Sequence, residues 1–260
     1  MARRGYPTDL TDAQWAVLEP LLPAAQTRGG PRRTDLRAVV EAILYLLRSG
    51  GQWRLIPSDF PPWGTVGWYF RRWRQEGAWA RVHRALHRAA RVAKGQTPEP
   101  AVVIMDSQSV KTTEKGGVRG FDGHTRVKGR KRQILVDANG FLVSCRVEPA
   151  GMSDRRAVRV LTAGLAPLWP RIRTVIADAG YESAALTQHL VEQANWELRI
   201  IKRPRPGFEI VGPNWIVERT FAWLGRHRRL SKDYKVRVQS SEALIPIAAC
   251  SLRLKRLAPS

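Results

Sequence analysis

Residues 214–230 read Asn-Trp-Ile-Val-Glu-Arg-Thr-Phe-Ala-Trp-Leu-Gly-Arg-His-Arg-Arg-Leu, a pattern that predicts a helix with one acidic residue, Glu218, among apolar and basic neighbours. A lone carboxylate in such surroundings needs a structural partner or a metal ion. Two further carboxylates, Asp106 and Asp178, each follow an apolar run that predicts a β-strand. Three such carboxylates in a strongly basic chain predict metal-dependent phosphodiester chemistry on nucleic acid.

The composition indicates a packed, polyanion-binding protein. The 260 residues are 43% hydrophobic and carry a formal net charge of +22. A charge of this size attracts polyanions, although a GC-rich genome is an alternative source of part of the arginine excess. No apolar run approaches the roughly 20 residues of a membrane-spanning helix, and the amino terminus lacks the apolar core of a secretion signal. We therefore expect nucleic acid rather than a membrane as the partner.

The two cysteines, Cys145 and Cys250, lie far apart in the sequence. Their spacing predicts neither a metal-binding pair nor a disulfide scaffold, and it fits a reducing cytoplasm. We expect a cytoplasmic protein.

A Gly/Pro-containing linker at residues 95–100 divides the chain into a helical domain, 1–96, and a second domain, 97–260. Helices are predicted from a capping box at Thr11 and Gln14, over 36–47, over 65–76 and over 78–93. Several short helices with a basic aromatic member resemble a helix-turn-helix-like DNA-binding module. Its DNA-contact candidates are Arg71, Arg72 and Arg74, and the neighbouring aromatics are expected mainly in the core.

Beyond the linker, strands and helices alternate. Strands are predicted over 102–105, 132–136, 141–147, 173–177 and 198–202, and helices over 153–165, 183–194 and 242–257. The Asn139-Gly140 pair predicts a hairpin turn between the second and third strands. Asp137 and Asp154 are rival carboxylates, but a turn and a helix start explain them.

Several motifs together resemble bacterial insertion-sequence transposases of the DDE type, in the group named for insertion sequence five. The resemblance covers nearly the whole chain in order, and its motifs are LTDAQW at 10–15, LEPLLP at 18–23, GQWRLIP at 51–57, FRRW at 70–73, DSQSVK at 106–111, VKGRKR at 127–132, ADAGY at 177–181, the Glu218 helix and RLSKDY at 229–234.

This resemblance implies an α/β (α+β) fold in which a ribonuclease H-like catalytic domain with a mixed sheet follows a helix-turn-helix-like helical domain. It implies that Asp106, Asp178 and Glu218 form the catalytic triad and bind Mg²⁺ or Mn²⁺, as two ions. The implied activity is cleavage of transposon ends and joining of the 3′-hydroxyl to target DNA. Asn214 stands where the family commonly has arginine, so the triad is predicted more firmly than the contacts to transposon ends.

The implied partner is double-stranded DNA, as terminal inverted repeats and as target, bound by a homo-oligomer. Two alternatives stay open from the sequence. One is an inactive or domesticated DNA-binding relative, and the other is a ribonuclease H-like nuclease that cuts without joining strands.

Residues 111–132 contain eight Lys/Arg and several glycines, which predicts a mobile basic loop beside Asp106. A solvated charge run is the alternative to a DNA backbone clamp, which we prefer. The candidate contacts in this loop are Lys111, Lys128, Arg130 and Lys131. Arg219 and Arg226 are further candidates on the Glu218 helix, where Trp215 and Trp223 share a face and are expected to pack on the sheet.

Overall fold

The computed structural model describes residues 5–24, 33–114, 117–202 and 213–259. Four helices precede the sheet: α1 Asp12–Leu18, α2 Leu36–Ser49, α3 Trp63–Gln75 and α4 Ala78–Val92. The predicted capping box is confirmed, because Gln14 N donates to Thr11 Oγ1 (3.2 Å) and Thr11 N donates to Gln14 Oε1 (3.4 Å). Only Glu76 and Gly77 join α3 to α4, and Gly77 provides the left-handed conformation (φ 66°) that this short connection requires.

Six strands form one mixed sheet: β1 Val102–Lys111, β2 Gly120–Asp122, β3 Val127–Asp137, β4 Leu142–Pro149, β5 Thr174–Asp178 and β6 Glu197–Ile201. The main order is β4-β3-β1-β5-β6, and β2 pairs with the first residues of β3. The β3 strand runs antiparallel to β1 and β4, whereas β1, β5 and β6 are parallel. This order is that of the ribonuclease H-like fold, which confirms the predicted fold class.

Strand pairing extends beyond the apolar runs that predicted the strands. The β1 strand passes through Asp106 and continues to Lys111, because its polar half pairs in register with β3. The predicted mobile loop is therefore wrong for residues 120–122 and 127–132, which are β-strand. Lys115 lies outside the described residues. The predicted hairpin turn is confirmed, with Gly140 at φ 77°.

Five helices follow or separate the later strands: α5 Asp154–Thr162, α6 Ala184–Ala194, α7 Asn214–Gly225, α8 Arg228–Ser231 and α9 Val238–Leu257. The α5 and α6 helices cover the sheet face that presents Val103 and Met105. The α7 and α9 helices cover the opposite face, which presents Ile104. Side chains of α2, α3 and α4 join this second core, so the two predicted domains pack against each other.

Within the described ranges, no helix is long and apolar enough to cross a membrane.

Candidate active site

Asp106 and Asp178 lie on neighbouring parallel strands and on the same face of the sheet. Ile104 of β1 pairs with Ile176 of β5, and each aspartate follows its isoleucine by two positions. Because side chains alternate along a strand, both carboxylates point to the face that α7 covers. Hydrogen-bonded strands hold such groups with small positional error.

Glu218 reaches this face from α7. Ile216 and Val217 anchor the helix in the core, and Glu218 itself is exposed. Burial raises the pKa of Asp106 to about 7 together with the negative charges of Asp178, Glu218 and Asp154, although the hydrogen bond from Ser107 N acts in the opposite direction. The three predicted carboxylates therefore share one electrostatic environment.

The turn of the β3–β4 hairpin fixes the position of α7. Thr220 Oγ1 donates to Gly140 O (3.0 Å), and Arg219 Nη2 donates to Asn139 O (3.1 Å). A Cβ added to Gly140 would lie 2.9 Å from Thr220 Oγ1, so the helix approaches the turn as closely as glycine allows. The hairpin thus determines where Glu218 sits along the sheet.

The donor set fits a hard divalent cation. Ser107 N donates to Asp106 Oδ1 (2.7 Å) and Gly180 N donates to Asp178 Oδ1 (2.9 Å), which orients both side chains. No three His, Cys, Asp or Glu side chains in the described part of the chain form a ready-made metal-binding group. Magnesium takes oxygen ligands, retains several waters and needs only one or two carboxylates beside a substrate phosphate. A bound cation would also relieve the electrostatic cost of the charged Asp106.

A buried polar network lies behind Asp106, on the face covered by α5. Asp154 Oδ1 accepts hydrogen bonds from Ser107 Oγ (3.2 Å) and Gln133 Nε2 (3.0 Å). Tyr181 Oη donates to Gln133 Oε1 (3.2 Å). Since Ser107 follows Asp106 and Tyr181 ends the short turn after Asp178, the network connects the middle of β1 with the end of β5. Sequence reasoning assigned Asp154 only a helix-start role, and the alternation of polar residues along β1 and β3 was the signal for more.

Lys131, predicted as a DNA contact, belongs to this network. It is 8% exposed. Its Nζ lies 3.1 Å from Asp154 Oδ1 and 3.4 Å from Asp122 Oδ2. Although burial opposes the effect, hydrogen bonds from Ser109 and Thr125 together with the Lys131 charge hold the pKa of Asp122 well below its usual range. The lysine pairs with the buried Asp122 and the half-buried Asp154 and has little surface for a phosphate.

Arg130, also predicted as a DNA contact, is paired inside the protein. Its side chain is fully buried, and its guanidinium donates to Asp233 Oδ2 (3.1 Å) and to the carbonyls of Lys235 and Val236 (2.8 Å each). These partners are about a hundred residues further along the chain, which is why sequence could not show that the arginine was already paired.

Arg219, predicted as a DNA contact, lies between two tryptophans. Its guanidinium carbon lies 4.4 Å from the ring centre of Trp215 and 4.6 Å from that of Trp223. Trp215 is 41% exposed, so the expectation that it packs on the sheet is wrong. Trp215, Arg219 and Trp223 thus form a stack along one side of the Glu218 helix, and Arg219 links this stack to the hairpin turn at Asn139.

The remaining residues predicted to contact DNA differ in how far their side chains are free to bind a phosphate. Lys111, Lys128, Arg71 and Arg226 are exposed. Lys111 and Lys128 line a groove of about 430 Å³ together with Arg119 and Arg126. In contrast, Arg72 pairs with Glu76 (2.8 Å) and Arg74 donates to Ser240 (2.7 Å), so both are partly occupied within the protein.

The strand order and the two aspartates on adjacent strands define a ribonuclease H-like domain with an acidic site. The chain belongs to the transposase DDE domain family, which matches residues 97–253. Residues 10–83 match a second family, described as "Putative transposase of IS4/5 family". All three predicted carboxylates fall inside the DDE match.

Two curated relatives carry the name of one insertion element. The chain is similar to the "Putative transposase for insertion sequence element IS402" of Burkholderia cepacia, with 28% identity over 129 residues. The match spans 47% of this chain and 61% of that protein. A second Burkholderia cepacia protein, "Insertion element IS402 uncharacterized 16.2 kDa protein", is 32% identical over 41% of this chain and 76% of its own length.

Among solved structures, the chain is similar to "Crystal structure of the Mos1 mariner paired end complex with Mn" with 12% identity and a TM-score of 0.27. The match covers 90% of this chain and 81% of that chain. Because this score is low, the fold assignment depends on the strand order.

Proposed function

We propose that this chain is a DNA transposase that cleaves transposon ends and joins the freed 3′-hydroxyl to target DNA. The observation that carries the proposal is the placement of Asp106 and Asp178 on adjacent strands, facing the helix of Glu218, within the residues that match the transposase DDE domain. The same carboxylates would serve hydrolysis alone or transposition. Membership of the transposase DDE domain family supports transposition.

Asp106, Asp178 and Glu218 are the proposed ligands of Mg²⁺ or Mn²⁺, as two ions. Bound divalent ions supply activation of a water or 3′-hydroxyl and stabilisation of the leaving oxygen. The protein contributes the positions of the three carboxylates. Strand pairing and the backbone donors Ser107 and Gly180 orient the aspartates, and the hairpin turn at Gly140 sets the position of Glu218.

Double-stranded DNA is the proposed substrate, as terminal inverted repeats and as target. Lys111 and Lys128 are proposed to contact the backbone beside the sheet, since both are exposed and line one groove with two arginines. Arg71 on α3 and Arg226 after α7 are exposed and are proposed as further contacts. A homo-oligomer, which would bring two transposon ends together, belongs to the same proposal.

The test uses labelled duplex DNA carrying the terminal inverted repeats of the protein's own element, with Mg²⁺ or with EDTA. Asp106→Asn is compared with Glu192→Gln, a matched loss of one negative charge at an exposed position of α6. We expect metal-dependent nicks at the repeat boundary and joined products from the wild type and Glu192→Gln. Asp106→Asn should bind the DNA and make neither product.

Each of the other possible outcomes would contradict the proposal in a different way. Nicks without joined products in the presence of target DNA would indicate a nuclease. Sequence-specific binding without metal-dependent nicks would indicate a DNA-binding relative. Cleavage by Asp106→Asn at the wild-type rate would show that the active site lies elsewhere.

A further inference from the structure

A second basic pocket opens on the face of the sheet opposite α7, between α5 and α6. It has a volume of about 530 Å³. Its lining includes Arg155, Arg156 and Arg159 of α5 and the serines that precede the two helices, Ser153 and Ser183. None of these residues was singled out by the sequence motifs.

The three arginines are free of partners inside the protein. All are exposed, and across the described ranges none of their side chains makes a hydrogen bond, an ion pair or a ring contact. By comparison, Arg37 and Arg88 each pair with a carboxylate at 2.6 Å. Like charges on one helix face repel, so the cluster costs stability unless an anion neutralises it.

The spacing places the three guanidinium groups on one side of α5. Arg155 and Arg159 are one helical turn apart, and Arg156 lies between them at three positions from Arg159. The only acidic residue in the first turn of the helix is Asp154, and Lys131 already neutralises it. Among the residues that the structure describes, those lining the pocket include three arginines and no acidic side chain.

The pocket lies at the same edge of the sheet as the proposed active site. Asp154, the first residue of α5, accepts a hydrogen bond at 3.2 Å from Ser107, which follows Asp106. Ser183 stands just beyond the short turn that follows Asp178. One strand of a duplex crossing this edge would pass from the carboxylates to the arginines. The serine hydroxyls make no capping hydrogen bond and are available as donors.

We propose that the α5–α6 pocket binds consecutive backbone phosphates of the DNA strand that leaves the catalytic edge. Guanidinium groups bind phosphate in a bidentate manner, which suits arginine rather than lysine at all three positions. This inference rests on the proposed function for the identity of the DNA, but its test measures binding and does not need cleavage.

The experiment measures the affinity of the full chain for a labelled duplex, by fluorescence anisotropy, over a series of NaCl concentrations. The variant is Arg155→Gln/Arg156→Gln/Arg159→Gln. The matched control is Arg81→Gln/Arg171→Gln/Arg173→Gln, which removes the same charge from exposed positions of α4 and the segment leading into β5. Because all six side chains are exposed, circular dichroism should show both proteins folded.

Each neutralised phosphate contributes about 0.9 to the slope of log K against log salt. We expect the slope of the α5 variant to be smaller than that of the wild type by the contribution of about two phosphates. Its affinity at moderate salt should fall at least tenfold. The control should change less in both slope and affinity. Equal slopes for variant and control would overturn the inference, even if the wild type cleaves normally. A reduced slope in a protein that never cleaves would uphold the pocket and reject the proposed function. Lost affinity for anionic phospholipid vesicles, with DNA binding intact, would also overturn the inference.

Discussion

The ammonium group of Lys131 lies 3.1 Å from Asp154 Oδ1, the same oxygen that accepts hydrogen bonds from Ser107 and Gln133. One buried cation thus holds together the first turn of α5 and the two central strands of the sheet, next to Asp106. The position of Asp106 therefore depends on this polar network, on the opposite face of the sheet, as well as on strand pairing.

Replacing Lys131 by Met should destabilise the protein strongly. Removal of the cation leaves Asp122 and Asp154 without their shared partner, and loss of one member of a buried pair costs about 3–5 kcal/mol. Urea unfolding measures this change. The matched control is Lys128→Met on the same strand, where the lysine is exposed. The control should keep its stability and bind DNA less tightly, and equal stability of the two variants would contradict the role of Lys131.

Asp106→Asn should stabilise the metal-free protein while removing cleavage. Burial and three acidic neighbours disfavour the charged carboxylate at neutral pH, and one pKa unit corresponds to about 1.4 kcal/mol. After allowance for solvent screening, we expect the free energy of unfolding to rise by about 1–3 kcal/mol. Thermal unfolding should show this as an increase of several degrees in Tm.

The same variant tests metal binding. Added Mg²⁺ or Mn²⁺ should raise the Tm of the wild type, since a ligand that binds only the folded state stabilises it, and should leave Asp106→Asn almost unchanged. Glu192→Gln should respond as the wild type does. An identical metal-induced rise in all three proteins would show that the cation binds elsewhere.

Gly140→Ala should displace the Glu218 helix. The added methyl group would meet Thr220 Oγ1 at 2.9 Å and Arg219 Nη2 at 3.2 Å, at a residue whose φ is 77°. Gly164→Ala is the control, because Gly164 has a similar φ of 69° and open space around its Cβ position. In both variants, an alanine at positive φ strains the backbone and lowers the free energy of unfolding by about 1 kcal/mol. Gly140→Ala should lose more stability in urea unfolding than this strain explains, because its methyl group also meets α7. It should also cleave DNA more slowly, whereas Gly164→Ala should not.

The contribution of His227 to the free energy of unfolding should fall as the pH drops below 6.5. Burial, with the charges of Arg48 and Lys255, lowers the pKa of His227 from 6.5 to about 4. Between these values the unfolded chain binds a proton that the folded chain does not, so the free energy of unfolding decreases as the pH falls through this window. The loss from this group should be about 1–3 kcal/mol by pH 4.

Urea unfolding at pH 7 and pH 5 checks this dependence. His227→Asn should weaken it, and His124→Asn should not, because His124 is exposed. An unchanged pH dependence in His227→Asn would remove His227 as a source of acid sensitivity.

Most elements could be predicted from local sequence because their signals are local. The helix at 78–92, the capping box at Thr11 and the hairpin turn at Gly140 depend on apolar periodicity, a side-chain cap and a left-handed glycine. The polar half of β1 could not be found this way, since residues 106–111 are strand only because β3 pairs with them.

The sequence by itself determined the order of helices and strands, the family and the identity of the three candidate carboxylates, because these are written in patterns and motifs. Only the tertiary structure decided which cations are available to DNA. Lys128, Arg130 and Lys131 stand within four positions of one motif, yet the first is exposed and the other two are buried. The physical reason is pairing over long distances: Asp233 and Asp154 reach opposite faces of β3 and neutralise Arg130 and Lys131, while the arginines of α5 are left without partners.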